Sequence, residues 1–351
     1  MLQRLTRNHP FCWLLGLALM AGCGSDSNGG SADADSETMT GPDNDDGQAN
    51  HDDDNDSGND SDSDGDSGQQ MTIDLTGAIL TQLSGDCADY KNEYESMVGD
   101  VNRSMSFTGE LAITITDDHC VFASNAIPNH DFNDGDRNFV NATRAQSASY
   151  RVPRSPTAAT TSTALSLRID NAVFLNGVKL DLLAAGCFGV GDGKIGCFDT
   201  GIPFRYDPMA ETADFGTDSH NAHTQPDGTY HYHGNPNALF AADDSASSPT
   251  IGFAADGFPI RGSYANVDGS IRKLASSHQL KSGTRAASGG VNPGGMYDGT
   301  FVDDFEYVAG SGDLDECNGK STDGVYAYYV TDSYPWVMGC FTGTPDDSFD
   351  K

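Results

Sequence analysis

Apolar and polar residues alternate along much of this chain, and the period is that of a β-strand. Leu111, Ile113 and Ile115 alternate with Glu110, Ala112, Thr114 and Thr116, which places an apolar face opposite a polar one and predicts a half-buried strand. Leu165, Leu167 and Ile169 repeat the pattern. Ala172 to Leu175 and Val178 to Leu182 flank Asn176-Gly177, a dipeptide suited to the positive φ angles of a tight hairpin turn. Val325 to Thr331, rich in tyrosine and valine, predicts a further strand. Helical periodicity is scarce, and Cys87 to Val98 is its best candidate. With 41 Gly and 14 Pro the connections are turn-rich. The predicted fold is therefore mainly β: a disulfide-stabilised sandwich or irregular barrel with long Gly/Pro-rich loops and little helix.

The first seventy residues do not share this pattern. Arg4 and Arg7 precede an apolar run from Phe11 to Met20, too short for a spanning helix of about 20 residues and suited to a signal peptide over 1–22. The small residues ending at Cys23 resemble a lipoprotein processing site, with Met20 where leucine is usual, so Cys23 is the expected lipidation site. The expected location is the cell envelope, lipid-anchored at the outer membrane, since Gly24 and Ser25 are not an inner-membrane retention pattern. Residues 24–70 hold fourteen Asp and one Glu with no Lys or Arg. Such a segment buries too little apolar surface to offset its ordering entropy, and it predicts a disordered acidic tether after Cys23. Asp60 to Asp66 superficially resembles a calcium loop, but the twelfth position is Met71 and not the closing glutamate. The globular part is expected over 71–351.

Charge narrows the partners. Of the chain's 52 acidic and 19 basic residues, 37 and 17 remain once the tether's fifteen acids and the leader's two arginines are set aside. A domain this acidic repels phosphates, so nucleic acid is excluded as a partner. Contact with a membrane is expected through the N-terminal lipid only. Six cysteines remain in the domain: Cys87, Cys120, Cys187, Cys197, Cys317 and Cys340. An even number in an exported protein predicts three disulfides, and proximity favours Cys87–Cys120, Cys187–Cys197 and Cys317–Cys340. No C-x-x-C pair supports thiolate metal ligation.

The densest chemistry is Asp227-Gly228-Thr229-Tyr230-His231-Tyr232-His233-Gly234. In a strand His231 and His233 share one face, about 7 Å apart, and Tyr230 and Tyr232 share the other. His220 and His223 lie just upstream, so four of nine histidines fall within fourteen residues. Imidazole suits zinc, copper, nickel and iron, so a metal site is the leading expectation. The tyrosines are expected to pack in the core.

These residues carry a resemblance to the YHYH-domain proteins, through the tetrapeptide Tyr230 to His233 and several flanking elements. Ser124 to His130 is similar to an upstream S-N-G-I-P-N-H element, with Ala126 in place of glycine. Asn221 to Gly228, Ile251 to Ile260, Gly299 to Tyr307 and Leu314 to Gly319 resemble further elements of the family. Arg261 departs from the tyrosine usual after Pro259-Ile260, and the chain between Gly319 and Tyr326 is shorter than expected. The resemblance adds His223 and His130 to His231 and His233 as metal ligands, for copper or zinc.

Carboxylates at Asp256, Asp303, Asp304 and Glu306 form a second constellation, although Asp256-Gly257 is first of all a turn signal. No G-x-S-x-G elbow is present, and the Gly-rich stretch Gly289 to Gly295 lacks the Lys-Ser/Thr of a phosphate loop. Three functions are consistent with the sequence. The first is a membrane-anchored lipoprotein whose domain binds copper or zinc through its histidines. The second is a metal-dependent enzyme, a hydrolase or copper oxidase, at the same site. The third is a non-metal interaction or adhesion domain with an envelope or extracellular partner.

Overall fold

The computed structural model describes residues 71–351 apart from Asp244, and these lie in one compact unit. The expected signal peptide, the lipidation at Cys23 and the acidic tether with its Asp60 to Asp66 loop all fall outside the described residues.

The first sheet contains β1 (Ile73–Asp74), β2 (Asn92–Asp100), β3 (Met105–Ile115), β4 (His119–Ser124) and β5 (Ala148–Pro153), in that spatial order. Leu111 and Ile113 of β3 are buried while Glu110 and Thr114 are exposed, as the alternation predicts, whereas Ile115 at the end of the strand is exposed. The helix expected over Cys87 to Val98 is not present. Its start is a short 3-10 turn, Cys87–Tyr90, and the remainder is β2, which pairs along its full length with β3. Ser96, Val98 and Asp100 are buried and Glu93, Glu95 and Met97 exposed, a two-residue period that a helix cannot satisfy.

A second expectation also changes. Next to Leu165 lies only the two-residue β6 (Thr163–Ala164), which pairs with β19 (Cys340–Phe341). Leu165 to Ile169 runs as irregular chain with a single bridge, Ile169 to Asp350, although Leu165 and Ile169 pack against the core. Alternation at this segment reports burial without a neighbouring strand to complete a ladder.

The second sheet is larger. Its strands are β7 (Ala172–Phe174), β8 (Lys179–Leu180), β9 (Ala222–Thr224), β10 (Tyr230–Tyr232), β11 (Thr250–Ala254) and β12 (Pro259–Arg261), completed after two intervening strand pairs by β17 (Gly319–Thr322) and β18 (Val325–Tyr329). The intervening pairs are β13 (Tyr264–Val267) with β14 (Ser270–Lys273), and β15 (His278–Leu280) with β16 (Phe305–Tyr307). The order across the sheet is β17-β18-β12-β11-β7-β8-β10-β9. The β7–β8 hairpin turns at Asn176-Gly177 as expected, with Gly177 at φ +80°. A Cβ on Gly177 would lie 2.3 Å from Ser124 Oγ, so both backbone conformation and space demand glycine.

The inner face of the first sheet packs on the second through one apolar core, where Phe122 of β4 meets Phe253 of β11 with ring centroids 6.1 Å apart. No sheet among the described residues closes into a barrel, so the fold is mainly β with stacked sheets. The disulfides Cys87–Cys120, Cys187–Cys197 and Cys317–Cys340 join the predicted partners. In consequence β9 and β10 sit at one end of the second sheet, with β9 as the edge strand.

Candidate metal centre

The site begins with a turn. Gln225 to Gly228 reverses the chain between β9 and β10: Gly228 N donates to the Gln225 carbonyl at 3.0 Å, and Asp227 Oδ1 accepts from Thr229 N at 2.9 Å. This sets an antiparallel register with His231 opposite His223, Tyr230 opposite Thr224 and Tyr232 opposite Ala222. Residues paired in a sheet project to the same face, and so do residues two apart on a strand. His223, His231 and His233 are therefore brought to one face by local geometry alone.

Their Nε2 atoms converge. His231 Nε2 is 3.0 Å from His233 Nε2, which is 3.1 Å from His223 Nε2. One ligating nitrogen from each of the three lies within 4.8 Å of the others. His231 and His233 are 2% and 3% exposed, while His223 on the edge strand is half-buried, so the cluster is reached from the His223 side.

The outer ring nitrogens are held by the main chain. His223 Nδ1 is 2.8 Å from the Phe215 carbonyl and His231 Nδ1 3.3 Å from the Thr229 carbonyl. His233 Nδ1 is buried beside the Asp181 carbonyl without reaching full hydrogen-bond geometry. A carbonyl only accepts, so Nδ1 carries the proton in each bonded ring and Nε2 is a bare lone pair facing the centre. Burial drives the pKa of His223 down, and burial together with the neighbouring imidazoles holds His231 and His233 well below the ordinary histidine value. The three rings are thus neutral at pH 7. Three neutral imidazoles with converging Nε2 atoms are a donor set for a cation, and the main-chain carbonyls on Nδ1 of His223 and His231 are the usual means of orienting such ligands.

His130 does not join them. It lies on the opposite face of β10, with Nε2 2.6 Å from the Tyr232 hydroxyl and Nδ1 2.7 Å from the Asp131 carbonyl. Both nitrogens are used, and the ring lies tilted at 45° to that of His220 with centroids 4.0 Å apart. The expectation of His130 as a fourth ligand is corrected: strand alternation sends Tyr232, and with it His130, away from the histidine face. His220 is likewise engaged elsewhere, through Nδ1 to Asn237 Oδ1 at 2.8 Å.

The tyrosines pack in the core as expected, both fully buried, and they also anchor β10. Tyr232 OH donates to His130 and accepts from Asn176 Nδ2 at 3.0 Å; Tyr230 OH donates to Asp218 Oδ2 at 2.9 Å. Asp218 also caps the bend before β9 by accepting from His220 N and Ala222 N.

The four carboxylates do not form one site: Glu306 is exposed on β16, and the other three have structural partners. Asp256 is buried in its turn and accepts from the Tyr328 hydroxyl at 2.6 Å and Gly343 N at 2.8 Å. Asp304 binds Arg285, and Asp303 accepts from Phe204 N and Arg205 N. Each is a structural acceptor. The residues that the sequence left unmarked are Phe215, Thr229 and Asp181, which act or stand near the site through carbonyls. A main-chain oxygen has no sequence signature. Phe215 additionally lines a surface cavity of about 340 Å³ with Met209, Glu211 and Asp136.

No curated protein and no solved structure matches this chain. Residues 149–343, over half of it, match the model of the YHYH protein family, and the match contains His223, His231 and His233 but starts beyond Ser124 to His130. With the Tyr-His-Tyr-His strand at the centre of the match, the chain belongs to the YHYH protein family.

Proposed function

We propose that this protein binds a transition metal, copper or zinc, through His223, His231 and His233. The single observation that carries the reading is the meeting of three imidazole Nε2 atoms at 3.0–3.1 Å in a buried site. With the protons of His223 and His231 on Nδ1, a proton on His233 Nε2 can serve only one of them at a time, whereas a cation at the centre engages all three. Bound there, copper or zinc would act as a Lewis acid held by three neutral nitrogens. The residues of the chain orient the rings, exclude water from His231 and His233, and leave access at His223.

The donor count supports a second reading. Three protein ligands, one of them half-buried on an edge strand, is the number found in catalytic rather than closed structural sites. A metal-dependent enzyme is therefore kept as the alternative use of the same triad. We further propose export and anchoring through Cys23. The three disulfides support an oxidising compartment, and loss of lipid labelling in Cys23→Ala tests the anchor.

The decisive experiment is elemental mass spectrometry of the full chain after loading with copper or zinc and removal of loosely bound ions. About one ion per chain is expected, falling to background when His231 and His233 are both replaced by Ala. Unchanged metal content in that double variant would exclude the triad as the site.

A further inference from the structure

A group of buried charges adjoins the triad, and metal ligation by itself gives it no role. Strand β8 runs parallel to β10 with Lys179 opposite His231 and Leu180 opposite Tyr232. The ladder continues one residue further, since Asp181 N donates to the Tyr232 carbonyl at 2.9 Å. By alternation, Lys179 and Asp181 share the histidine face, and Asp181 stands next to His233. Lys179 and Asp181 are 5% and 6% exposed.

The charges are largely paired among themselves. Lys179 Nζ lies 2.8 Å from Asp170 Oδ1, and Lys351 Nζ bridges Asp170 and Asp181 Oδ2. Tyr150 OH donates to Asp170 Oδ2 at 3.2 Å. One oxygen is left over. Asp181 Oδ1 is buried with no hydrogen-bond partner, and His233 Nδ1, on the neighbouring strand and the same face, is buried without a completed one. A buried donor and a buried acceptor without partners are each costly, about 1–3 kcal/mol for a neutral group and more for a charged one. His233 is also the one triad member whose Nδ1 lacks a fully formed bond to a carbonyl; His223 and His231 have theirs.

We propose that Asp181 is a positioning residue for the metal site: its Oδ1 accepts the Nδ1–H of His233 when the triad closes on a metal ion. This rests on the reading of the triad as a metal site. The carboxylate then fixes the tautomer and ring angle of His233, and it sets a negative charge behind a ligand that brings none. Three neutral imidazoles leave a dication uncompensated in a buried place, and a carboxylate one ring away offsets part of that charge. Lys351 holds the other oxygen and so orients Asp181 from the solvent side.

Zinc affinity measured by competition with a chromophoric chelator tests this on the full chain. Asp181→Leu, which removes the acceptor, is expected to weaken zinc binding about 10–100-fold, the usual effect of losing such an outer partner. Asp181→Asn keeps an accepting oxygen and recovers part of that loss. Lys351→Met, which removes that ion pair but leaves the carboxylate with Lys179 still acting on it, stays within about threefold of wild type. Asp181→Leu within threefold of wild type overturns the proposal, and so does a Lys351→Met loss as large as that of Asp181→Leu. Should the Asp181 variants fail to fold by circular dichroism, the wild-type protein decides. In its zinc-loaded, nitrogen-15-labelled form, the His233 Nδ1–H proton resonates downfield of those of His223 and His231 if its acceptor is a carboxylate, and alongside them if it is not. A wild-type chain that takes up no zinc or copper removes the metal reading itself, an outcome distinct from wild-type affinity in Asp181→Leu.

Discussion

Replacing Tyr232 by Phe removes one oxygen atom from a fully buried position and leaves the ring packed at 88° against Phe174. The oxygen has two partners. It donates to His130 Nε2 at 2.6 Å and accepts from Asn176 Nδ2 at 3.0 Å. Asn176 Nδ2 keeps a second acceptor, Asn129 Oδ1 at 3.2 Å, so its loss is about that of one ordinary hydrogen bond, ~1 kcal/mol. His130 has no such recourse. Its proton is committed to the Asp131 carbonyl, so moving it to Nε2 would break that bond, and the bare nitrogen remains buried at a cost of about 1–3 kcal/mol. Together the expected loss is about 2–4 kcal/mol. Denaturant titration at pH 7.5 is the assay, with a lower midpoint and an unchanged slope. The pH matters because burial, reinforced by His220, lowers the pKa of His130 to about 4. The unfolded chain takes up the proton first, near pH 6.5, so the stability from neutral His130 is complete above about 6.5. It is lost as pH falls from there toward 4, up to about 3 kcal/mol. A Tyr232→Phe loss below about 0.5 kcal/mol at pH 7.5 would refute the view that the tyrosines anchor β10 through their hydroxyls.

Two further outcomes are expected. Ala126 occupies the left-handed region at φ 58° and is 3% exposed. Ala126→Gly should remain within about 1 kcal/mol of wild type, relief of strain being set against lost burial and greater freedom of the unfolded chain, while the β-branched Ala126→Val should cost about 2–4 kcal/mol; equal stability of the two variants by thermal melting would contradict this. Asp207 is buried, accepts from Trp336 Nε1 at 3.0 Å and Met209 N at 2.9 Å, and burial raises its pKa to about 6. The folded state holds this proton more tightly than the unfolded one, so the contribution is present below about pH 4 and lost as pH rises through 6. Asp207→Asn should thus gain up to about 3 kcal/mol relative to wild type between pH 4 and pH 7.5 in denaturant titrations, and a pH-independent difference would count against it.

What the sequence determined by itself depends on near neighbours. The alternation in β3, the Asn176-Gly177 hairpin, the three disulfide pairs and the shared face of His231 and His233 each follow from residues close together in the chain. His223 joins them through a short turn. Tertiary structure decided the rest. Cys87 to Val98 became a turn and a strand because β3 offered a complete ladder, while Leu165 to Ile169 had no such partner. Which side of β10 His130 would meet was set by how the two sheets stack, since that residue stands 102 positions from Tyr232. The Phe215 and Thr229 carbonyls on the imidazoles, and the unpartnered oxygen of Asp181 beside His233, are equally invisible in the sequence. A main-chain oxygen is common to every residue, and whether it or a buried carboxylate finds a partner is settled only when distant segments pack together.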